Sequence, residues 1–278
     1  MFKGETHEIE SIERTIQLYE EAFNEWDISK LVRAFHSDSM VYWYIPENDR
    51  FYNGLCYRWV EDFIKNQIEQ PEVDYFVNVE SITQYESVAF ARVRFLAYDP
   101  RSYRDTTDYL TLMRFDSKWK VVNKSGHTIP LDKEELEQRI NGDSNIPYND
   151  SNEIANITKS LEVYAQAFHE WDLEKIKQVF HPSMRLNSVE QNTQKFKNQF
   201  RPYAVWKEVL DTHKSDGVKF ETEIKQIDQR GTAAVAVMYW KAITPKGIGH
   251  TTDFLTLLKV EDNWMIVNKS CHFYFVEN

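Results

Sequence analysis

Thr106-Thr107-Asp108-Tyr109-Leu110-Thr111-Leu112 returns in the same chain as Thr251-Thr252-Asp253-Phe254-Leu255-Thr256-Leu257. The segments that follow also return: Val122-Asn123-Lys124-Ser125-Gly126-His127 as Val267-Asn268-Lys269-Ser270-Cys271-His272. Near the start, Glu25-Trp26-Asp27 returns as Glu170-Trp171-Asp172. Every pair is 145 positions apart, and half the positions from Arg104 to His127 are identical at that offset. The centres of the copies, roughly 37–85 and 182–230, match poorly. A period of this length is a domain and not a solenoid turn. The chain therefore reads as a tandem duplication, with domain one over 1–130, a linker with a short helix over 131–152, and domain two over 153–278. The linker carries a charged helical stretch, Asp132 to Ile140, and then the breaker-rich run Asn141 to Asn152.

Within one copy, Ile9, Ile12, Ile16, Tyr19 and Phe23, matched by Ile154, Ile157, Leu161, Tyr164 and Phe168, fall on one face of a helix. Asp27 and Asp172 stand where an N-cap belongs, ahead of a second helix carrying Leu31 and Phe35, or Ile176 and Phe180. Strand alternation follows: Ala89, Ala91, Val93 and Phe95 share a face, as do Ala234, Ala236, Met238 and Trp240. Two long strands close each copy as a tight hairpin through Asp116-Ser117 or Glu261-Asp262. The fold class is α+β, with N-terminal helices packed on a curved antiparallel sheet, made twice.

The hairpin's inner face follows from the cost of burying lysine. Lys120, Val122 and Lys124 share one face, so Trp119, Val121, Asn123, Ser125 and His127 are expected to point at the helices. Pairing from the 116–117 turn then sets Leu112 against Val121, Leu110 against Asn123, Asp108 against Ser125, and Thr106 against His127. That gives an apolar pocket with a polar end. Asp108 with His127, and Asp253 with His272, are the candidate acid–base pairs, since burial raises a carboxylate's pKa and an imidazole beside it orients it or shares its proton. Asn123 and Ser125, with Asn268 and Ser270, are candidate ligand contacts. Tyr19 and Tyr164 have hydroxyls within reach of the pocket, though core packing alone accounts for them. The bland alternative is a polar network that merely fixes the strand ends.

Other chemistries lack support. A net charge of −11 from 33 basic and 44 acidic residues argues against a nucleic-acid partner. Neither Cys56, matched by Arg201, nor Cys271, matched by Gly126, is shared between copies, which excludes a duplicated cysteine mechanism. Eight glycines leave little for phosphate-cradling loops, and no nucleotide-binding motif occurs. His36 and His181 read as residues bonding the end of helix two. A metal site from His36, His127 and Asp108 lacks any tight ligand spacing, so no metal or other cofactor is expected. Mean hydropathy is −0.60, no apolar run is long enough for a membrane span, and the first five residues carry no signal-peptide core, so the expected location is cytoplasmic. Aromatics make up 14% of the chain and suit ring-lined cavities. Tyr42-Trp43-Tyr44 and Phe51-Tyr52 give copy one an aromatic entrance that Asn187-Ser188-Val189-Glu190 does not reproduce.

On the opening helix, Trp26-Asp27, Phe35-His36, the run 108–112 and Trp119-Lys-Val-Val-Asn-Lys124, the sequence resembles the NTF2-like superfamily, and most closely its SnoaL-like and "putative lumazine-binding" branch. The resemblance implies a cone-shaped pocket inside a curved sheet, and a pairing through sheets that two fused copies would make within a monomer as a pseudo-dimer. Members include ketosteroid isomerase, scytalone dehydratase, limonene-epoxide hydrolase and polyketide cyclases, beside non-catalytic binding modules. Three functions stay open: a binding protein for small hydrophobic or aromatic molecules; a cofactor-independent isomerase, dehydratase or cyclase; and an interaction scaffold.

Overall fold

The computed structural model describes residues 6–45, 50–69, 73–99, 102–141, 148–190 and 195–278. Residues 1–5 and 142–147, which include part of the expected linker, lie outside them. The chain divides into two compact units.

Unit one runs α1 (Thr6–Glu25), α2 (Ile28–Ala34), β1 (Phe35–Ile45), β2 (Arg50–Leu55), a 3-10 turn, α3 (Trp59–Glu69), β3 (Asp74–Tyr85), β4 (Val88–Tyr98), β5 (Tyr103–Phe115), β6 (Lys118–Leu131) and α4 (Lys133–Ile140). Unit two repeats the plan with α5 (Ser151–Glu170), α6 (Leu173–Val179), β7 (Phe180–Glu190), β8 (Lys195–Phe200), α7 (Tyr203–Ser215), β9 (Lys219–Arg230), β10 (Ala233–Thr244), β11 (Gly247–Val260) and β12 (Asn263–Glu277). Each sheet has six strands, ordered β2-β1-β6-β5-β4-β3 and β8-β7-β12-β11-β10-β9. The closing four strands of each form the expected antiparallel meander, but β1 and β7 pair parallel with β6 and β12, so the sheets are mixed and not wholly antiparallel.

The Trp-Asp step is the corner between the first two helices. Trp26 and Trp171 adopt left-handed backbone (φ 52° and 59°), which stops α1 and α5. The next residue then caps the following helix: Asp27 accepts from Ser29 N at 2.7 Å and Asp172 from Glu174 N at 2.8 Å. The indoles offset the unfavourable backbone by packing on rings, Trp26 against Phe63 and Trp171 against Phe220.

A carboxylate pins the first helix to the hairpin in each unit. Glu8 accepts from the Trp119 indole at 2.6 Å and pairs with Arg114; Glu153 accepts from the Trp264 indole at 2.7 Å and from Lys259 at 2.8 Å. The hairpin turns are tight, with positive φ at both Asp116 and Ser117 and at both Glu261 and Asp262, the conformation that continues strand twist. The predicted charged helix is α4, closed by an Asp132–Glu135 capping box, with Leu136 fully buried and Arg139 2.6 Å from Asp105.

Removing one cap, by Asp27→Ala or Asp172→Ala, is expected to lower the unfolding free energy by about 1 kcal/mol, and the double variant by about the sum. Urea unfolding followed by circular dichroism measures it; an unchanged midpoint in either single variant contradicts the capping role.

Candidate functional site

In both hairpins one strand carries an extra residue. Leu112 pairs with Val121 but Thr111 with Asn123, which leaves Val122 as a bulge; Leu257 pairs with Ile266 but Thr256 with Asn268, which leaves Val267. A single extra residue turns every later side chain to the other face. Up to the bulge the expected register is correct, and Trp119 and Val121 lie in the core. Beyond it, Leu110 faces Lys124 and Asp108 faces Gly126, where Asn123 and Ser125 were expected; Thr107, not Thr106, faces His127. In unit two, Leu255 faces Lys269, and Asp253 faces Cys271 where Ser270 would stand in the unbulged register.

The residue brought to the aspartate is therefore a lysine. Tyr19 Oη donates to Asp108 Oδ2 at 2.9 Å, and Lys124 Nζ is bonded to Asp108 Oδ1. In unit two, Tyr164 Oη donates to Asp253 Oδ2 at 3.2 Å, while Lys269 Nζ lies 2.5 Å from the same oxygen and 2.9 Å from Tyr164 Oη. The aspartates are almost wholly enclosed, at 1% and 0% exposure.

Electrostatics separates the two copies. Burial, opposed by Asp108, and the nearby Arg104 charge hold Lys124 below the usual lysine range. Burial also disfavours the Lys269 ammonium, but Asp253 with Tyr164 and Cys271 outweighs it and holds this lysine above its usual value. Burial pushes Asp253 up, and its donors Lys269 and Tyr164, with the indole of Trp240 close by, offset part of that rise. Burial pushes the Cys271 thiol up to about 11, so it is neutral at physiological pH.

Packing separates them too. In unit one the Trp43 ring lies 4.7 Å from Lys124 Nζ and against Gly126, where a Cβ would come within 2.8 Å of the indole and 2.4 Å of Thr107 O. Unit two has Ser188 at the position of Trp43. There a cavity of about 180 Å³ opens, lined by Tyr164, Lys269 and Arg201 among rings that include Phe168, Trp206 and Trp240. The volume is comparable to the apolar cavity of about 150 Å³ that holds one benzene ring.

Of the residues expected in the site, the structure brings Tyr19 to Asp108 and Tyr164 to Asp253. It does not bring the histidines or amides there. Asn123, Ser125 and His127 lie on the sheet face opposite Lys124, as Asn268, Ser270 and His272 lie opposite Lys269, because of the bulges. Ser270 instead donates to Asn268 at 3.1 Å, and the His272 ring sits beside Tyr274. The Nδ1 atoms of His36 and His181 accept backbone N–H bonds from Asp38 and Ser183, both at 3.1 Å. Among the described residues no group of three or more His, Cys, Asp or Glu is placed to hold a metal ion, and no helix is long and apolar enough to cross a membrane. The lysines were missed, although one signal marks them: Lys120 becomes Met265 in the second copy, while Lys124 stays lysine as Lys269.

A family model described as putative lumazine-binding matches residues 7–127 and again 152–272. A curated relative, the aldolase FrzH of Cladobotryum sp, is 24% identical over 123 residues, which span 44% of this chain and 93% of that protein. Solved NTF2-like proteins of unknown function each cover a little under half of this chain. The one from Shewanella baltica is 20% identical over 46% of this chain and 99% of its own (TM-score 0.39). The one from Silicibacter pomeroyi is 18% identical over 45% and 98% (TM-score 0.38).

The buried pair makes a stability prediction. Lys269→Met leaves Asp253 enclosed without its cation and is expected to lower the unfolding free energy by about 3–5 kcal/mol. Adding Asp253→Asn is expected to restore much of that, because the amide keeps an acceptor for Tyr164 without a charge. Urea titrations of the single and double variants measure both; a double variant no more stable than Lys269→Met contradicts the account.

Proposed function

The chain belongs to the putative lumazine-binding family, in two NTF2-like copies, and on that premise we propose that its second cone binds a flat, ring-containing carbonyl compound and moves a proton beside the carbonyl. The observation that carries this reading is the ring-lined cavity of about 180 Å³ that has Lys269 and Tyr164 in its wall and Asp253 bonded directly behind them. An ammonium has three N–H donors. Lys269 directs two of them to Asp253 and Tyr164, which leaves the third for a ligand's carbonyl oxygen.

Proton transfer then uses groups already in contact. A C–H proton beside the carbonyl passes to Tyr164 Oη as the tyrosine's own proton passes to Asp253 Oδ2. The C–H electron pair becomes the enolate, whose oxygen is held by the Lys269 ammonium. Asp253, pushed up by burial, is a stronger proton acceptor than an ordinary carboxylate. Return of the proton to another carbon is an isomerisation; attack of the enolate on a second carbonyl is an aldol addition, the reaction class that the relative's name carries. Lumazine, which the family name carries, is a flat bicycle rich in oxygen and nitrogen acceptors and suits the same wall.

Phenylacetone in deuterium oxide supplies the test. Deuterium is expected to enter its benzylic position under the wild-type chain, and the rate is expected to fall at least 100-fold in Tyr164→Phe and in Asp253→Asn, followed by proton NMR. The upward shift of Asp253 places the acid limb of the wild-type rate above the usual carboxylate value of about 4, with activity lost as pH falls through it. Exchange that both variants keep in full rejects the proton-transfer reading. Failure of phenylacetone and of lumazine to quench tryptophan fluorescence in the wild-type chain rejects the binding site itself.

A further inference from the structure

The second cone's wall contains more hydrogen-bond donors than its own residues satisfy. Trp206 Nε1 and Arg201 Nε are enclosed and make no hydrogen bond among the described residues, and both side chains line the cavity, whereas the Trp240 indole is directed at Asp253. The Trp206 side chain is more than nine-tenths buried. A buried donor without an acceptor is unfavourable, so two around one cavity point to an acceptor-bearing occupant.

Charge says which kind. Arg201, at the start of the Arg201-Pro202 corner ahead of α7, donates from Nη2 to Gln199 Oε1 at 2.7 Å, a neutral partner. Lys269 is the second cation of the wall, and Asp253, bonded behind it, is the carboxylate that balances one of the two. The other ionisable residues of the lining, His213 and Tyr164, and the nearby Cys271 add no charge at neutral pH. Burial, against the pull of Asp216, holds His213 below the usual histidine range, and the Cys271 thiol is protonated. The cavity therefore holds one surplus positive charge inside a chain whose net charge is −11.

We propose that the second cone selects ligands bearing a single carboxylate, seated against the Arg201 guanidinium, with the ring held between Trp206, Trp240 and Phe168. A planar fork of N–H donors matches a planar carboxylate in shape, and one negative charge neutralises the surplus, whereas a phosphate brings closer to two. The position is particular to this copy: unit one has Cys56 where unit two has Arg201. The inference deepens the proposed function and rests on it. The carbonyl end of the ligand lies at Lys269 and Tyr164, and the carboxylate end at Arg201, which makes small aryl-substituted oxo acids the substrate class.

Benzoate and benzamide, alike in shape and unlike in charge, separate the possibilities when titrated by calorimetry into the full chain. Benzoate is expected to bind the wild type at least tenfold more tightly than benzamide. Arg201→Gln is expected to remove that preference, weakening benzoate at least tenfold and leaving benzamide within twofold, while Arg201→Lys keeps part of the preference. Circular dichroism and the melting temperature of each variant verify that it is folded; if Arg201→Gln is not, the Arg201→Lys comparison decides. Equal binding of the two compounds by the wild type, or a preference for benzoate undiminished in both variants, overturns the carboxylate assignment and leaves the cavity reading standing. Binding of neither compound, together with no response to phenylacetone or lumazine, overturns both.

Discussion

One inserted residue per hairpin decides what the inside of each cone is made of. Without the bulges at Val122 and Val267, the strand period would carry Asn, Ser and His inward and lysine outward. With them, the strand beyond Val121 or Ile266 changes face, and an ammonium meets an aspartate beneath the first helix. A second bulge in each sheet, at Glu80 and at Lys225, recurs at the same repeat position. Bulges bend and twist a strand pair, so the devices that curve the sheet round the helices also choose the chemistry of its concave face.

The resulting pair is an expensive object to build. Taking an ammonium and a carboxylate out of water costs several kcal/mol per ion, and only close contact with further hydrogen bonds returns it. Both units meet part of that demand in the same way, with a tyrosine from α1 or α5 donating to the aspartate beside the lysine. The tyrosine is on the opening helix and the other two residues are on the closing hairpin, so the triad depends on docking between distant parts of the unit. The Glu8 and Glu153 contacts to Trp119 and Trp264 hold that docking from the far end of the helix.

Much of this was legible in the sequence. The 145-residue offset gave the duplication, the 3,4 spacing gave α1 and α5, and the Trp-Asp step gave the capped second helices. Asp108 and Asp253 were correctly read as inward-facing, because the strand that bears them has no bulge before the site. The register beyond Val121 was not legible, since a bulge at two adjacent valines leaves no composition signal: both residues suit a strand equally well. The burial rule for lysine then pointed the wrong way. It assumes an unpaired ammonium, and the partner that makes burial tolerable lies on the other strand.

Duplication explains how such a site can vary without loss of the fold. The triad, the caps and the bulges are repeated, whereas the surroundings differ at the positions nearest the lysine: Trp43 against Ser188, Gly126 against Cys271, Cys56 against Arg201. In unit one a large ring covers the ammonium, and burial acts with Arg104 to disfavour its charge. In unit two the ring is absent and the charge is favoured by its partners. Neither set of substitutions touches the bulged register or the Glu–Trp anchors, which are the elements that assemble the cone. The surroundings of the lysine and the elements of the fold are therefore written on different residues. The diverged centres of the copies, which looked least informative as sequence, supply the groups that distinguish one buried Tyr–Asp–Lys cluster from the other.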